Sequence, residues 1–97
     1  MEYNIGLSEE ILYKIKEIVN RYNNYEFYIF GSRAKGTYRN TSDIDIAVYE
    51  NISEKDKYKI ANEFDLLDII YKIDLVFISQ NTKKELLESI EKNKIRL

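Results

Sequence analysis

The sequence predicts an α/β (α+β) fold, a small sheet with helices mainly on one face, and three observations carry that expectation. Short β-branched and aromatic runs, EFYIF (26–30), DIDIAVY (43–49) and KIDLVFI (72–78), read as strands. Apolar residues at helical spacing lie before, between and after them. Crossovers between strands must run over the sheet, so helices separating every strand imply a layer covered chiefly on one side. The expected order is α-β-(short α)-β-α-β-α, with the open face available to a ligand.

Each element has a local reason. Ser8 is a good N-cap, and Ile11, Ile15, Ile18, Val19 and Tyr22 recur at three and four, one face of a helix ending near Asn23 and Asn24. The first strand, Glu26 to Phe30, stops at Gly31. Residues 33–36 suit a single helical turn before the polar stretch GTYRNTS. In the second strand Ile44, Ile46 and Val48 alternate with Asp43, Asp45 and Ala47. Ser53 with Asp56 resembles a capping box, and Ile60, Ala61, Phe64 and Leu67 mark the inner face of the helix that follows. After the third strand, Thr82 with Glu85 reads as a second capping box, opening a last helix whose Leu86, Leu87 and Ile90 point inward.

Ninety-seven residues suit a single domain, 1–97, that buries about 60 to 70% of its unfolded surface. The formal net charge is -2, so no basic surface announces nucleic acid and no direct nucleic-acid contact is expected. Cys and His are both absent, which removes disulfides, thiol nucleophiles, cysteine zinc sites and the usual neutral-pH base. The first residues, MEYNIGLSEE, lack the apolar core of a signal peptide. The longest apolar runs are far too short for a bilayer, so a cytoplasmic protein without membrane contact is expected.

Chemistry concentrates between Phe30 and Val48. Residues two apart in a strand project from one face with Cα atoms about 6.6 Å apart, so Asp43 and Asp45 can aim both carboxylates at one point. Asp74 lies on the next strand, flanked by apolar residues. Should the two strands be neighbours, three anions about 5 Å apart repel by about 3 kcal/mol per pair at an effective dielectric of 20. A domain of this size has about 5 to 15 kcal/mol of net stability, so something must compensate. Protonation, a nearby Lys or Arg, or a divalent cation would each serve. Oxygen ligands without His or Cys select Mg²⁺ or Mn²⁺, and Mg²⁺ sites usually add substrate phosphates. That points to metal-assisted phosphoryl or nucleotidyl transfer.

The turn before these acids suits the phosphates. Gly31 and Ser32 lie where a strand ends and a short helix begins, so backbone N–H groups and a hydroxyl can cradle an anion. Arg33 and Lys35 add positive charge, and Gly36 lets the chain leave. Taken singly, each piece has a plainer reading. Gly-Ser is usually a turn, D-x-D a solvated strand edge, Asp74 a boundary residue facing water, and Arg33, Lys35 and Arg39 surface charges. Ser42 can cap the loop ahead of the strand, and Asp65 and Asp68 are expected on the outer side of their helix. Tyr38, in the polar loop, stands out among nine tyrosines. The conjunction favours function.

GSRAKGTYRNTSDID resembles the G-S-x10-D-x-D signature of the DNA polymerase β-like nucleotidyltransferase superfamily, and the whole chain looks like its minimal stand-alone members. Those are the minimal nucleotidyltransferases (MNT) that pair with HEPN-domain proteins in toxin–antitoxin modules. The resemblance implies a mixed three-stranded sheet in order 1-2-3. It implies that Gly31, Ser32, Arg33 and Lys35 bind the nucleotide, and that Asp43, Asp45 and Asp74 are catalytic and bind two Mg²⁺ ions, Mn²⁺ being an alternative. Whether Asp74 acts as base or only as ligand stays open. Where relatives often read G-S-R-A-R-G, Lys35 keeps the charge without a bidentate grip.

The function so implied is transfer of AMP from ATP to a hydroxyl, tyrosine for preference, on a helical HEPN-like toxin or a substrate-binding protein, with homo- or hetero-oligomers allowed. Two alternatives stand beside it: an antitoxin that neutralises its partner by binding alone, and a nucleotidyltransferase for small molecules.

Overall fold

The computed structural model describes residues 5–97; residues 1–4, the start of the stretch weighed against a signal peptide, lie outside it. Eight elements follow in order: α1 (Glu9–Arg21), β1 (Glu26–Phe30), α2 (Gly31–Lys35), β2 (Ile44–Tyr49), α3 (Glu54–Asp65), β3 (Ile73–Phe77), α4 (Lys84–Asn93) and β4 (Ile95–Arg96). The strands form one sheet in the order β3-β2-β1-β4. β1 runs antiparallel to β2 and to β4, whereas β2 and β3 are parallel, joined by the α3 crossover. The predicted order 1-2-3 is preserved within this mixed sheet.

Alternation along the strands decides the two faces. Phe27 and Ile29 of β1 and Ile44, Ile46 and Val48 of β2 are buried on one side against Ile15, Ile18 and Val19 of α1 and Ile60 and Phe64 of α3. Phe27 meets Phe64 with ring centroids 6.3 Å apart in a tilted arrangement. Each fully buried side chain of this kind contributes about 1.5–3 kcal/mol of transfer free energy. Polar links fasten α1 and its exit to α3: Arg21 and Tyr22 both bond Glu63, and Tyr25 donates to Asp56. Its bond to the Glu63 carboxylate, with burial, pushes the Tyr22 phenol up to about 12.

The opposite face carries Ala47 and Val76, packed with Phe30, Tyr49 and Ile78 beneath Leu87 and Ile90 of α4. So α1 and α3 cover one face, and α4 covers part of the other. The residues beside Ala47 and Val76 toward the strands' beginnings are Asp45 and Asp74.

Both Ser8 and Ser53 cap as expected, accepting from the N–H groups of Ile11 and Asp56. Four local expectations need correction. The short helix opens at Gly31 and not at residue 33, and Asp43 precedes the second strand. Thr82 does not cap α4: its hydroxyl accepts from the Ser79 N–H in the preceding turn, and Lys83 stands at the N-cap. Leu86 is 38% exposed while Leu87 and Ile90 turn inward, because the inner stripe of α4 is narrower than its run of leucines. A fourth strand, of two residues, follows α4 and pairs Ile95 with Ile29. Among the described residues no helix is long and apolar enough to cross a membrane.

Candidate active site

Parallel pairing of β2 with β3 puts Asp45 opposite Asp74 in register, one step along from Ile46 opposite Leu75. Neighbouring strands lie about 4.8 Å apart, and register partners share a face, so these two acids stand side by side on the face away from α1 and α3. Asp43 belongs to the loop just before β2 and is exposed. Burial pushes the Asp45 carboxyl above the usual aspartate range, and the charges of Asp74 and Asp43 push it further, with Arg33 opposing. Hence Asp74 and Asp43 both act electrostatically on Asp45. Among the described residues no three acids close into a ready-made cation site.

The glycine turn adjoins them. Phe30, last residue of β1, pairs with Asp45, and Gly31 follows at φ 75°. A Cβ built on Gly31 would overlap Asp45 Oδ2 and stand 3.2 Å from Asp45 Cγ. A side chain there is excluded twice, by the left-handed backbone and by the carboxylate lying over it. Gly31 begins the short helix and Ser32 follows it; the N-cap, Phe30, offers no side-chain cap. The first N–H groups of any helix lack acceptors within the helix, so Gly31 and Ser32 present donors close to Asp45.

The basic residues divide. Lys35 is exposed at the end of α2, beside a cleft of about 550 Å³ shared with Glu85, Glu88 and Lys92 of α4. Arg33, read from the sequence as a nucleotide-binding residue or, taken singly, a surface charge, is not on the surface. It is 1% exposed, and its guanidinium donates to the backbone carbonyls of Ile5 and Ser42, each at 2.8 Å. A buried arginine needs acceptors, and those carbonyls hold it under the turn. Ser42 serves its loop as expected, its Oγ accepting from the Arg39 N–H at 2.8 Å. Asp65 is exposed at the end of α3 as expected, whereas Asp68, also exposed, lies past the end of that helix, which stops at Asp65.

Lys72 was not singled out in the sequence. Its ammonium lies 3.5 Å from Asp74 Oδ1, and the exposure of both side chains makes the pair weak. Spacing carried the signal, since Lys72 stands two residues before Asp74, just ahead of β3.

A mixed sheet with acids on two adjacent strands beside a glycine turn has the architecture of a nucleotidyltransferase. The chain belongs to that family: the model described as "Polymerase beta, Nucleotidyltransferase" matches residues 13–97. Among solved structures, a Sulfolobus solfataricus protein solved as a candidate nucleotidyltransferase is similar at 30% identity and a TM-score of 0.57, over 90% of this chain and 78% of that one. A crystal structure of the toxin–antitoxin pair MntA–HpeT, carrying the Y104A mutation, is similar at 26% identity and a TM-score of 0.63, over 94% of this chain and 72% of that one. The comparison with curated proteins gave no match.

Proposed function

We propose that this protein is a Mg²⁺-dependent nucleotidyltransferase that moves AMP from ATP to a hydroxyl, tyrosine for preference, of a helical HEPN-like partner toxin, acting as its antitoxin. The observation that carries the reading is the register of Asp45 with Asp74 beside a glycine whose missing side chain leaves room for the Asp45 carboxylate. Family membership supports the transfer reaction, and likeness to the MntA–HpeT pair supports the choice of a protein acceptor.

The donor set fits a hard cation. It is all oxygen and it concentrates negative charge: burial first, and then the charges of Asp74 and Asp43, raise the Asp45 pKa, with Arg33 opposing. Asp43, Asp45 and Asp74 are the residues to hold Mg²⁺, or Mn²⁺ in its place. When bound, such an ion supplies Lewis-acid charge to the phosphates. Gly31 and Ser32 hold the triphosphate through N–H groups and the hydroxyl, and Lys35 adds charge at the end of the same turn. Asp74, at the outer strand, faces the incoming hydroxyl. The acceptor oxygen bonds to the α-phosphorus, the bond from that phosphorus to the pyrophosphate oxygen breaks, and the hydroxyl proton leaves to Asp74 or solvent.

The test is transfer of label from α-labelled ATP to the protein encoded beside this one, with wild type and with Asp43→Asn plus Asp45→Asn. Label on the partner with wild type alone supports the proposal. Equal labelling by the double variant refutes the assigned site. Neutralisation of a toxic partner in cells by the double variant, at matched expression, replaces catalysis with binding, and ATP-dependent modification of a small molecule without a partner protein replaces the acceptor.

A further inference from the structure

Arg33 is the largest fully buried side chain of the described residues and the one charged residue among them that is buried. Burying a cation is costly, and here a further donor, Nε, has no hydrogen-bond partner among the described residues. Both Nη atoms of the guanidinium are engaged. Nη1 donates to the carbonyls of Ile5 at 2.8 Å and Gly6 at 3.3 Å, and Nη2 donates to that of Ser42 at 2.8 Å. Its plane stacks over Tyr71 at 4.5 Å from the ring centroid, with Tyr38 at 5.3 Å. Gly6 is held against the same cluster: at φ 75°, a Cβ there would overlap the Tyr38 ring and meet Arg33 Nη1 at 3.0 Å.

These contacts fall at significant places along the chain. Arg33 is two residues after Gly31, Ser42 is the residue before Asp43, and Tyr71 is three before Asp74. The two acid-bearing segments also meet directly, the Ile44 N–H donating to the Lys72 carbonyl at 2.9 Å. One planar fork therefore touches the glycine turn's own helix, the loop that delivers Asp43 and the segment that delivers Asp74. Lysine has neither the fork nor the stacking plane to do this.

We propose that Arg33 is a positioning residue that sets the distance between the phosphate turn and the acids of both strands, without touching the nucleotide. The kinetic half of the test rests on the nucleotidyltransferase reading; the other half does not. In Arg33→Lys, amide hydrogen exchange is expected to quicken at least tenfold at Arg39, Ser42 and Ile44, with α3 and the centre of β1 unchanged. In AMP transfer, kcat is expected to fall about 100-fold, the cost of misplacing reacting groups by about 1 Å, while KM for ATP stays within about threefold. Exchange that quickens only within α2, or throughout the chain, overturns the proposal, as does a raised KM with kcat intact, which would mean a direct grip on the phosphates. If wild type transfers no AMP, the functional reading fails and the exchange result alone decides the role of Arg33. If Arg33→Lys does not fold, Tyr71→Leu takes its place, removing one stacking wall and, among the described residues, no hydrogen bond. Faster exchange at both Ile44 and Ser42 then supports the coupling, and a change confined to residues 70–72 overturns it.

Discussion

Replacing Gly31 with alanine separates the stability of this fold from its chemistry. At φ 75° an alanine costs about 1–2 kcal/mol of backbone strain. For a chain of this size that lowers Tm by about 5–15 °C, leaving the protein folded at room temperature. The larger consequence is local. The added methyl group overlaps Asp45 Oδ2, the far end of a flexible side chain, so the carboxylate yields by about 1 Å to restore a normal contact. A displacement of about that size at a reacting centre costs about 100-fold in rate. The assay pairs thermal unfolding by circular dichroism with AMP transfer by folded protein at 20 °C. A modest fall in Tm with about 100-fold lower turnover is expected. A variant with wild-type turnover would refute the placement of Asp45 over the turn as the reason for glycine there.

Asp45→Asn should raise Tm at neutral pH when no divalent cation is present. The folded-state pKa of Asp45 lies above its ordinary value, so the folded protein holds that proton more tightly than the unfolded chain. Stability linked to Asp45 is thus full below the ordinary aspartate range and lost as pH rises through the folded pKa. The gain from Asn should shrink to nothing as pH is lowered to about 3 in a series of melts in chelator; a gain that persists at that pH contradicts the electrostatic cause. Ser53→Ala removes the hydroxyl that accepts from the Asp56 N–H and should cost about 1 kcal/mol, seen as a Tm lower by about 4–8 °C with AMP transfer unchanged.

Legibility from sequence followed how local each determinant is. Strands β1, β2 and β3 announce themselves because every second residue must be apolar to reach the core under α1 and α3. The caps at Ser8 and Ser53 work through a contact three residues long, which sequence states outright. Thr82 carries the same signal, yet its hydroxyl closes the turn from Ser79, a rival local bond that spacing alone does not separate from a cap. Strand β4 is invisible because two residues have no period, and its pairing partner lies far away in β1. The acids of the site were legible as types on strands, but their side-by-side placement depends on the register of β2 with β3, a non-local property. Arg33 was the hardest to read. An arginine in a polar, glycine-flanked stretch suggests a surface charge, and only its distant acceptors at Ile5 and Ser42 explain its burial.

The proposal that Asp45 and Asp74 share a cation that also meets the triphosphate is tested most directly by Mn²⁺ binding in the presence of ATP, followed by electron paramagnetic resonance. Wild type should take up Mn²⁺, and Asp45→Asn and Asp74→Asn should each weaken uptake by about tenfold or more. Uptake by both variants as tight as by wild type would contradict it.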